Sequence, residues 1–499
     1  MKYYSTRDTK KLYPLSSAQA IKQGIAPDKG LYMPEEIPTL SHDEICELVG
    51  MSYTERAAHI LGKFLTDYTY EELYSCANKA YSYVKFPGGA APLTALGDTH
   101  RILELWHGPT CAFKDMALQI MPHLVSLALD KTGEKNDAFI LVATSGDTGK
   151  AALEGYADAP RVKIMVFYPQ DGVSDMQKLQ MTSQTGENVF VCAINGNFDD
   201  AQTGVKQIFA DDTVANKLSE HGIFLSSANS INWGRLAPQI VYYVSAYCDL
   251  LKEEDIALGD KINICVPTGN FGNIFAAFIA KKMGLPVNKL ICASNKNNIL
   301  TDFIKTGTYD RNREFFTTMS PSMDILISSN LERLLYYIAG PEKTKEYMEK
   351  LSSDGCYTVD KDVLDIINEH FCADFSTETQ CAQTIKDTFD EYSYLVDTHT
   401  AVALCAAEKF KQDNQTNCSR IVTASTASPY KFAADVLASL TGNDCQSSFE
   451  VIYKLNELTD TEIPLPLKKL ENAEVRFKGC TDKTKQAMLS AAYKFLGIE

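Results

Sequence analysis

The sequence contains no Cys-x-x-Cys pair, although 14 cysteines are spread along its 499 residues. Structural zinc sites and disulfide scaffolds both need cysteines at close, regular spacing, so we expect neither and predict no metal site. Scattered thiols are typical of a reducing compartment, which predicts a cytoplasmic protein. No apolar signal segment follows Met1, and no apolar run is long enough to cross a bilayer, so we expect no membrane partner.

Positive charge is also scarce. Lysine and arginine number 48 against 64 aspartates and glutamates, which gives a net charge of −16. An acidic protein repels nucleic acid and anionic membrane surfaces, so we expect neither as a partner. A phosphorylated ligand would therefore need a local pocket of cations and amides. The hydrophobic content of 45% is that of an ordinary globular protein, and the length predicts about two to four domains.

The most informative stretch covers residues 107–118. Its Gly108-Pro109 turn leads into a helix pattern with apolar positions at Met116, Leu118, Ile120, Met121 and Leu124. Lys114 lies at the junction of loop and helix, where burial would lower the pKa of its ammonium group. A lysine with a lowered pKa can act as a free amine that forms a Schiff base with an aldehyde. Taken alone, however, Lys114 is more simply a solvated lysine in a first helical turn.

Two later loops change that interpretation. Residues 143–150 follow the strand-like run 138–142, and residues 267–273 follow the run 262–266 and precede a helix pattern. Loops of glycine and small hydroxyl residues between a strand and a helix expose backbone N–H groups to anions. Either loop alone could be only a tight turn. A lysine followed by two such loops predicts an enzyme that holds a phosphorylated aldehyde cofactor, for which pyridoxal phosphate is the obvious candidate.

At these residues the sequence resembles the threonine synthase family. The resemblance is carried by residues 113–115, 145–149 and 269–273, with further matches at 30–34, 229–235, 320–324, 397–403 and 426–432. It extends over nearly the whole chain, and the length matches the longer type of the family. The resemblance implies the two-lobed α/β fold of the tryptophan synthase β type, in which parallel sheets carry helices on both faces.

Alternating strand-like and helical patterns predict three parts. Residues 1–98 form an N-terminal helical cap region, with helix patterns at 16–23, 42–50, 54–64 and 70–80. Residues 99–440 form the two-lobed catalytic domain, with predicted strands at 102–105, 139–142, 163–167, 188–193, 262–266, 289–293 and 421–426. A mainly helical insertion is expected at about 300–390. Residues 441–499 close the chain and end in an amphipathic helix at 484–496.

The resemblance also implies how the cofactor is bound. Pyridoxal phosphate would be attached to Lys114, and its pyridine nitrogen would face the hydroxyl of Thr426, with Ser425 as the neighbouring candidate. Its phosphate would bind to the backbone of Gly269, Asn270, Phe271, Gly272 and Asn273. Glycines let that backbone approach the phosphate closely.

The implied substrate site has two parts. The substrate carboxylate would bind to Thr144, Ser145, Gly146, Asp147 and Thr148. Asp147 would also lie near the phenolic oxygen of the cofactor, although it is equally compatible with a helix N-cap. The substrate phosphate would bind to Asn229, Ser230 and Arg235. Arg235 is the strongest candidate because a guanidinium matches a phosphate bidentately, although alone it is also compatible with a surface arginine.

The implied reaction converts O-phospho-L-homoserine and water into L-threonine and phosphate, by γ-elimination followed by β-addition of water. Two residues depart from the family pattern, since Ser428 stands where histidine is common and Tyr430 where a small residue is common. Their effect on catalysis stays open. The alternative is a threonine-synthase-like phospho-lyase that releases a keto acid, ammonia and phosphate. We expect a small-molecule substrate and a monomer or homodimer.

Overall fold

The structure is a computed structural model that describes residues 1–144, 146–170, 173, 175–414 and 419–498. Its strands are β1 (Tyr3–Ser5), β2 (Tyr32–Pro34), β3 (Leu93–Leu96), β4 (His100–Glu104), β5 (Asp137–Ala143), β6 (Val162–Pro169), β7 (Val189–Asn195), β8 (Ile223–Ser226), β9 (Ile262–Pro267), β10 (Val287–Ser294), β11 (Thr308–Asp310), β12 (Cys356–Thr358), β13 (Phe371–Phe375), β14 (Ile421–Ser425) and β15 (Cys480–Asp482).

The helices surround these strands. They are α1 (Ser17–Gln23), α2 (His42–Val49), α3 (Tyr53–Phe64), α4 (Tyr70–Ala80), α5 (Asp115–Leu118), α6 (Met121–Lys131), α7 (Asp147–Tyr156), α8 (Asp175–Thr182), α9 (Phe198–Phe209), α10 (Asp212–Glu220), α11 (Trp233–Lys252), α12 (Gly272–Lys282), α13 (Ile299–Thr306), α14 (Leu331–Ser353), α15 (Lys361–His370), α16 (Glu378–Tyr392), α17 (Thr398–Asp413), α18 (Ala433–Thr441), α19 (Phe449–Thr459), α20 (Leu465–Lys468) and α21 (Lys485–Leu496). None of them combines the length and apolar character that crossing a bilayer requires.

Two sheets organise the molecule. The six-stranded sheet has the order β13-β10-β9-β14-β4-β3, and its neighbours are parallel except for β3 and β4. The five-stranded sheet has the order β15-β7-β6-β5-β8 and is parallel throughout. Central strands such as β9 are buried along their whole length. Near-continuous apolar runs of this kind are what strands covered on both faces require.

The N-terminal region packs mainly against helices α6 and α11. Helices α1 to α4 each begin with a capping box, at Ser16, Ser41, Ser52 and Thr69, which satisfies the free N–H groups of the first turn. Helix α3 lies against α11, where Arg56 forms a 2.6 Å ion pair with Asp249. The region is not only helical, because β1 and β2 pair antiparallel within it.

Each predicted strand is present, and the helices predicted at 16–23, 42–50, 54–64, 70–80 and 484–496 are confirmed within two residues. The helix pattern after Lys114 is divided into α5 and α6. Pro122 lies in the first turn of α6 and has no N–H to continue the helix from α5. The strands that were not predicted are β1, β2, β3, β8, β11, β12, β13 and β15. They are at most five residues long, too short for a clear alternation, and β13 places part of the expected helical insertion in the six-stranded sheet.

Candidate active site

The predicted site residues lie on loops at the carboxyl ends of parallel strands, where open α/β sheets bind ligands. The segments after β4, β9 and β14 of the six-stranded sheet carry Lys114, residues 269–273 and Thr426. The segments after β5 and β8 of the five-stranded sheet carry residues 144–148 and 229–235. The residues expected to hold the cofactor are therefore mainly on one sheet. Those expected to bind substrate are on the other.

Lys114 immediately precedes α5, and its side chain is only 11% exposed. The segment is fixed by a 2.8 Å hydrogen bond from the Phe113 N–H to the Thr426 carbonyl. The Lys114 Nζ donates to Asp147 Oδ2 at 3.1 Å and to Ser322 Oγ at 3.3 Å. Burial lowers the pKa of Lys114, and this effect exceeds the opposing effect of Asp147. Lys114 is therefore not a solvated lysine, which was the simpler interpretation of this residue taken alone.

Asp147 is the first residue of α7, and its carboxylate accepts from four side chains, one of which is the Ser322 hydroxyl at 3.3 Å from Oδ2. Lys114 contacts Oδ2, while Lys431 Nζ and Gln177 Nε2 contact Oδ1 at 2.6 Å and 3.0 Å. Burial alone would raise the pKa of Asp147, but the two ammonium groups hold it well below its usual value. Sequence reasoning missed Lys431. It lies within the matched residues 426–432, but nothing in its spacing connects it with Asp147.

The loop before α7 is held by hydrogen bonds between the Thr144 side chain and the backbone of the loop and of the first turn of α7. The Thr144 Oγ1 accepts from the N–H groups of Gly146 and Gly149 at 3.0 Å and 2.9 Å, so this hydroxyl holds the loop. Gly146 has a φ of 143°, and a Cβ there would lie 2.5 Å from the Gln177 side chain. Thr148 is half-buried, and Ser145 lies outside the described residues. Gly146 is the N-cap of α7 and Asp147 is its first helical residue, so Asp147 is not the N-cap.

Residues 269–273 form the turn that leads into α12 and its first two residues, and they carry free backbone donors. Within the described chain, no N–H group from Gly269 to Asn273 donates a hydrogen bond to another residue. The first turn of α12 carries no acidic residue. A Cβ at Gly269 would lie 2.7 Å from the Ser322 carbonyl oxygen, so the close packing of this turn requires glycine. Unpaired amides at a helix N-terminus attract an anion.

Asn273 adds a side-chain donor to the same turn. Its Oδ1 accepts from the hydroxyls of Tyr242 and Tyr243 at 2.6 Å and 2.5 Å, which fixes the orientation of the amide. Its Nδ2 is buried and has no partner among the described residues. Phe271 holds a left-handed φ of 62°, which is unusual for a non-glycine residue and points to a functional constraint. These features fit the phosphate of a cofactor whose aldehyde reaches Lys114.

The two hydroxyls considered for the pyridine nitrogen differ in their contacts. The Ser425 Oγ accepts from Trp106 Nε1 and from Thr400 Oγ1, both at 3.0 Å. Thr426 is a buried residue, and across the described ranges no residue bonds to its hydroxyl. Thr426 is therefore the better candidate because its hydroxyl is available.

Arg235 lies in the first turn of α11 and is 5% exposed, so it is not a surface arginine. Its Nη1 donates to the Ala228 carbonyl at 3.0 Å, but no carboxylate among the described residues forms an ion pair with it. Burial lowers the pKa of Arg235 to about 10. Nearby Tyr156 has a buried hydroxyl without a partner in the described chain. A buried cation without a counterion is costly unless a ligand supplies the negative charge.

Comparison with known proteins identifies the family. Residues 2–81 match the model for the threonine synthase N terminus, residues 96–427 that for pyridoxal-phosphate dependent enzymes, and residues 400–489 that for the threonine synthase C-terminal region. Threonine synthase of Saccharomyces cerevisiae is 34% identical over 95% of this chain and 96% of its own length. The chain belongs to the threonine synthase family. It shares that family's pyridoxal phosphate cofactor.

The solved structures agree with this assignment. The pyridoxal-phosphate-bound threonine synthase of Brucella melitensis has a TM-score of 0.87 and 35% identity, with 99% of both chains covered. The two-lobed fold expected from the sequence is thereby confirmed. A human protein named threonine synthase-like 1 is 41% identical over 85% of this chain, but the chain spans only 58% of that relative's length.

The two departures from the threonine synthase pattern lie beside the Lys114 segment. Ser428 is buried, and its N–H donates to the Cys111 carbonyl at 3.0 Å. The Tyr430 hydroxyl donates to the Thr461 carbonyl at 2.7 Å. Both residues line a cavity of about 820 Å³ together with Trp106 and His107. In this chain they form packing contacts around the segment.

Ser322 is a second residue that sequence reasoning did not place in the site. Its hydroxyl lies 3.3 Å from both Lys114 Nζ and Asp147 Oδ2. Its backbone N–H donates to His399 Nε2 at 3.1 Å, and His399 Nδ1 then donates to Asp397 Oδ1 at 2.9 Å. The matched ranges 320–324 and 397–403 contain these residues, but only the fold shows that they meet at Lys114.

Proposed function

We propose that this protein converts O-phospho-L-homoserine and water into L-threonine and phosphate. The observation that carries the proposal is Arg235, a buried guanidinium without a carboxylate partner in the described structure. Its positive charge contributes to lowering the pKa of Lys114, which supports a role beside the amine that would carry the cofactor. The turn at 269–273 supplies a separate set of anion donors. Two anion sites beside one buried lysine suit a phosphorylated cofactor and a phosphorylated substrate.

Residues from both sheets would hold the reactants. Lys114 would carry pyridoxal phosphate, with the phosphate at Gly269 to Asn273 and the pyridine nitrogen at Thr426. When bound, the cofactor supplies an electron sink that makes protons next to the substrate amine acidic. Residues 144–148 would bind the substrate carboxylate. The Thr144 hydroxyl holds this loop by accepting from the backbone N–H groups of Gly146 and Gly149. Asn229 and Ser230 are half-buried before α11, where they would join Arg235 around the substrate phosphate.

Lys114 is suited to move the protons. Burial lowers the pKa of its ammonium group, so the neutral amine is more accessible near neutral pH than for an exposed lysine. Its Nζ lies beside Asp147 and Ser322, which fix its direction. A single amine could then accept one proton and return it, with Arg235 holding the phosphate that leaves.

Supporting proposals concern the whole protein. The division at residues 98 and 440 stays a prediction; the N-terminal family match ends at residue 81 and the C-terminal match begins at residue 400. A cytoplasmic location agrees with the scattered free thiols. A monomer or homodimer stays a prediction. The net charge of −16 argues against nucleic acid as a partner.

The second candidate is a phospho-lyase that releases a keto acid, ammonia and phosphate. It is favoured by the replacements at Ser428 and Tyr430. Both reactions release phosphate. They differ in whether water is added to the remaining carbon skeleton or the amine is lost.

One experiment separates them. The cofactor-loaded protein is incubated with O-phosphohomoserine, and threonine, keto acid, ammonia and phosphate are each quantified. Threonine formed in equal amount to phosphate supports threonine synthase, whereas keto acid and ammonia in equal amount support the lyase. If no phosphate is released from O-phosphohomoserine, both candidate reactions are refuted. Borohydride reduction and peptide mapping in parallel show whether the pyridoxyl group is on Lys114.

A further inference from the structure

Lys431 is a fully buried lysine that the proposed reaction has not yet used. It lies in the 3-10 turn Pro429–Phe432 that follows β14, and its side chain is 0% exposed. Its Nζ contacts Asp147 Oδ1 at 2.6 Å and donates to the Thr110 carbonyl at 3.0 Å. The carbonyl bond holds the ammonium in place, so its contact with Asp147 does not depend on Lys114.

The two lysines share one carboxylate from opposite sides. Lys114 contacts Oδ2 of Asp147, and Lys431 contacts Oδ1. Lys114 must lose its proton before its amine can react with an aldehyde, and that loss removes one of the two charges that compensate Asp147. A buried carboxylate left without a cation is strongly unfavourable. Lys431 remains, so the carboxylate keeps a partner while Lys114 is neutral.

We propose that Lys431 is a positioning residue that serves as the permanent counterion of Asp147 and thereby allows Lys114 to be a neutral amine. Without Lys431, the ammonium of Lys114 would be the only cation of the described residues in contact with Asp147, and Lys114 would retain its proton to higher pH. The inference rests on Lys114 being the lysine that carries the cofactor in the proposed function.

Other charged or titratable groups around this cluster come from the elements packed against it. They are Cys111 and Asp115 next to Lys114, Lys150, Glu154 and Tyr156 on α7, Arg235 on α11 and His399 on α17. Within the described chain, none of these groups forms an ion pair with Asp147. Lys431 is thus the cation on which Asp147 depends when Lys114 is uncharged.

The test follows the uptake of pyridoxal phosphate by the cofactor-free full-length protein as a function of pH. The rate depends on the neutral fraction of Lys114, and absorbance records it without any turnover. Lys431→Met keeps the length of the side chain and removes the charge. The midpoint of its pH profile should rise by about 1–3 units, which is the usual effect of one close opposite charge, because the Asp147 carboxylate then interacts with the Lys114 ammonium alone. Lys431→Arg keeps the charge, so its midpoint should stay near that of the unaltered protein.

A charge-balanced double variant distinguishes this role from packing. Asp147→Asn alone should lower the midpoint, because Lys431 then repels Lys114 without compensation. Combining Asp147→Asn with Lys431→Met should bring the midpoint back toward that of the unaltered protein. Lys409→Met is the matched control, since Lys409 pairs with Asp374 at 3.4 Å and has no contact with the cluster. Its profile should not move.

The inference is overturned if folded Lys431→Met shows an unchanged midpoint. It is also overturned if the midpoint of the double variant Asp147→Asn/Lys431→Met rises as far as that of Lys431→Met alone. If Lys431→Met does not fold, Asp147→Asn is compared with the double variant. A higher midpoint in the double variant supports the inference, and equal midpoints overturn it. Borohydride mapping keeps the proposed function separate. A pyridoxyl group on another lysine refutes the cofactor assignment itself, whatever the effect of Lys431.

Discussion

Replacing Arg235 by methionine tests the proposed phosphate site directly. Methionine fills much of the space of the arginine side chain but removes the charge. The guanidinium has one hydrogen bond within the described protein, to the Ala228 carbonyl, so its other donors are available to a ligand. One charge-assisted hydrogen bond contributes about 1.5–3 kcal/mol. At about 1.4 kcal/mol per factor of ten, loss of one such bond lowers kcat/KM roughly 10- to 100-fold, and loss of two lowers it roughly 100- to 10,000-fold.

The effect should be confined to the substrate. Uptake of pyridoxal phosphate should be unchanged in Arg235→Met, because residues 269–273 have their own donors. The free energy of unfolding of the cofactor-free protein should not fall, since the substitution removes a buried charge that has no carboxylate partner. Arg235→Lys should recover only part of kcat/KM, because an ammonium group lacks the planar fork.

Arg56→Met is the matched control, since Arg56 is equally buried but pairs with Asp249 at 2.6 Å. It should lower the free energy of unfolding and leave kcat/KM unchanged once the protein is folded. The assay is phosphate release from O-phosphohomoserine, with denaturant unfolding measured in parallel. Normal kcat/KM in Arg235→Met, or loss of cofactor uptake instead, would show that Arg235 does not bind the substrate phosphate.

Further substitutions test the remaining parts of the site. Lys114→Ala should abolish borohydride labelling by pyridoxal phosphate, and labelling that persists on another residue would contradict the assignment. Gly269→Ala and Gly272→Val should both weaken cofactor affinity, measured by equilibrium dialysis. The effect should be stronger for Gly269, because a Cβ there would lie 2.7 Å from the Ser322 carbonyl oxygen. At Gly272 the nearest atom to an added Cβ is Asn330 Nδ2, at 3.3 Å. Thr426→Val should change the absorbance of the bound cofactor while Ser425→Ala should not; the opposite result would favour Ser425. Asp147, whose pKa is lowered in the folded protein, stabilises the fold fully above an unfolded-state pKa of about 3.9 and loses this contribution as the pH falls through the folded value. The free energy of unfolding of Asp147→Asn should therefore depend less on pH in the acid range, and an identical dependence would refute this.

Much of the fold follows from local pattern. Strands such as β5 and β9 are continuous apolar runs bounded by glycine-rich turns, so their sequence alone distinguishes them. Short edge strands carry no such signal, because a few residues pair mainly through backbone atoms. Strand β8, for example, has only four residues and lies at the edge of its sheet.

The site was predictable where function depends on a loop and unpredictable where it depends on contacts between loops. Lys114 and residues 269–273 could be recognised because a lysine or a glycine-rich turn has its chemistry in one segment. The contact between Lys431 and Asp147 joins residues separated by most of the catalytic region, and no spacing rule connects them. The same is true of Ser322, which reaches Lys114 through the packing of three distant segments.

The division of the site between the two sheets also bears on how such proteins diverge. The loops after β5 and β8 can change without altering Lys114, residues 269–273 or Thr426, which follow strands of the other sheet. A lineage could therefore acquire a different substrate by altering neighbouring loops of one lobe while its cofactor chemistry is retained. Asp147 is the exception, because it follows β5 of the five-stranded sheet yet contacts both buried lysines, Lys114 and Lys431. We therefore expect Asp147 to be the position at which a change of substrate most readily disturbs the cofactor.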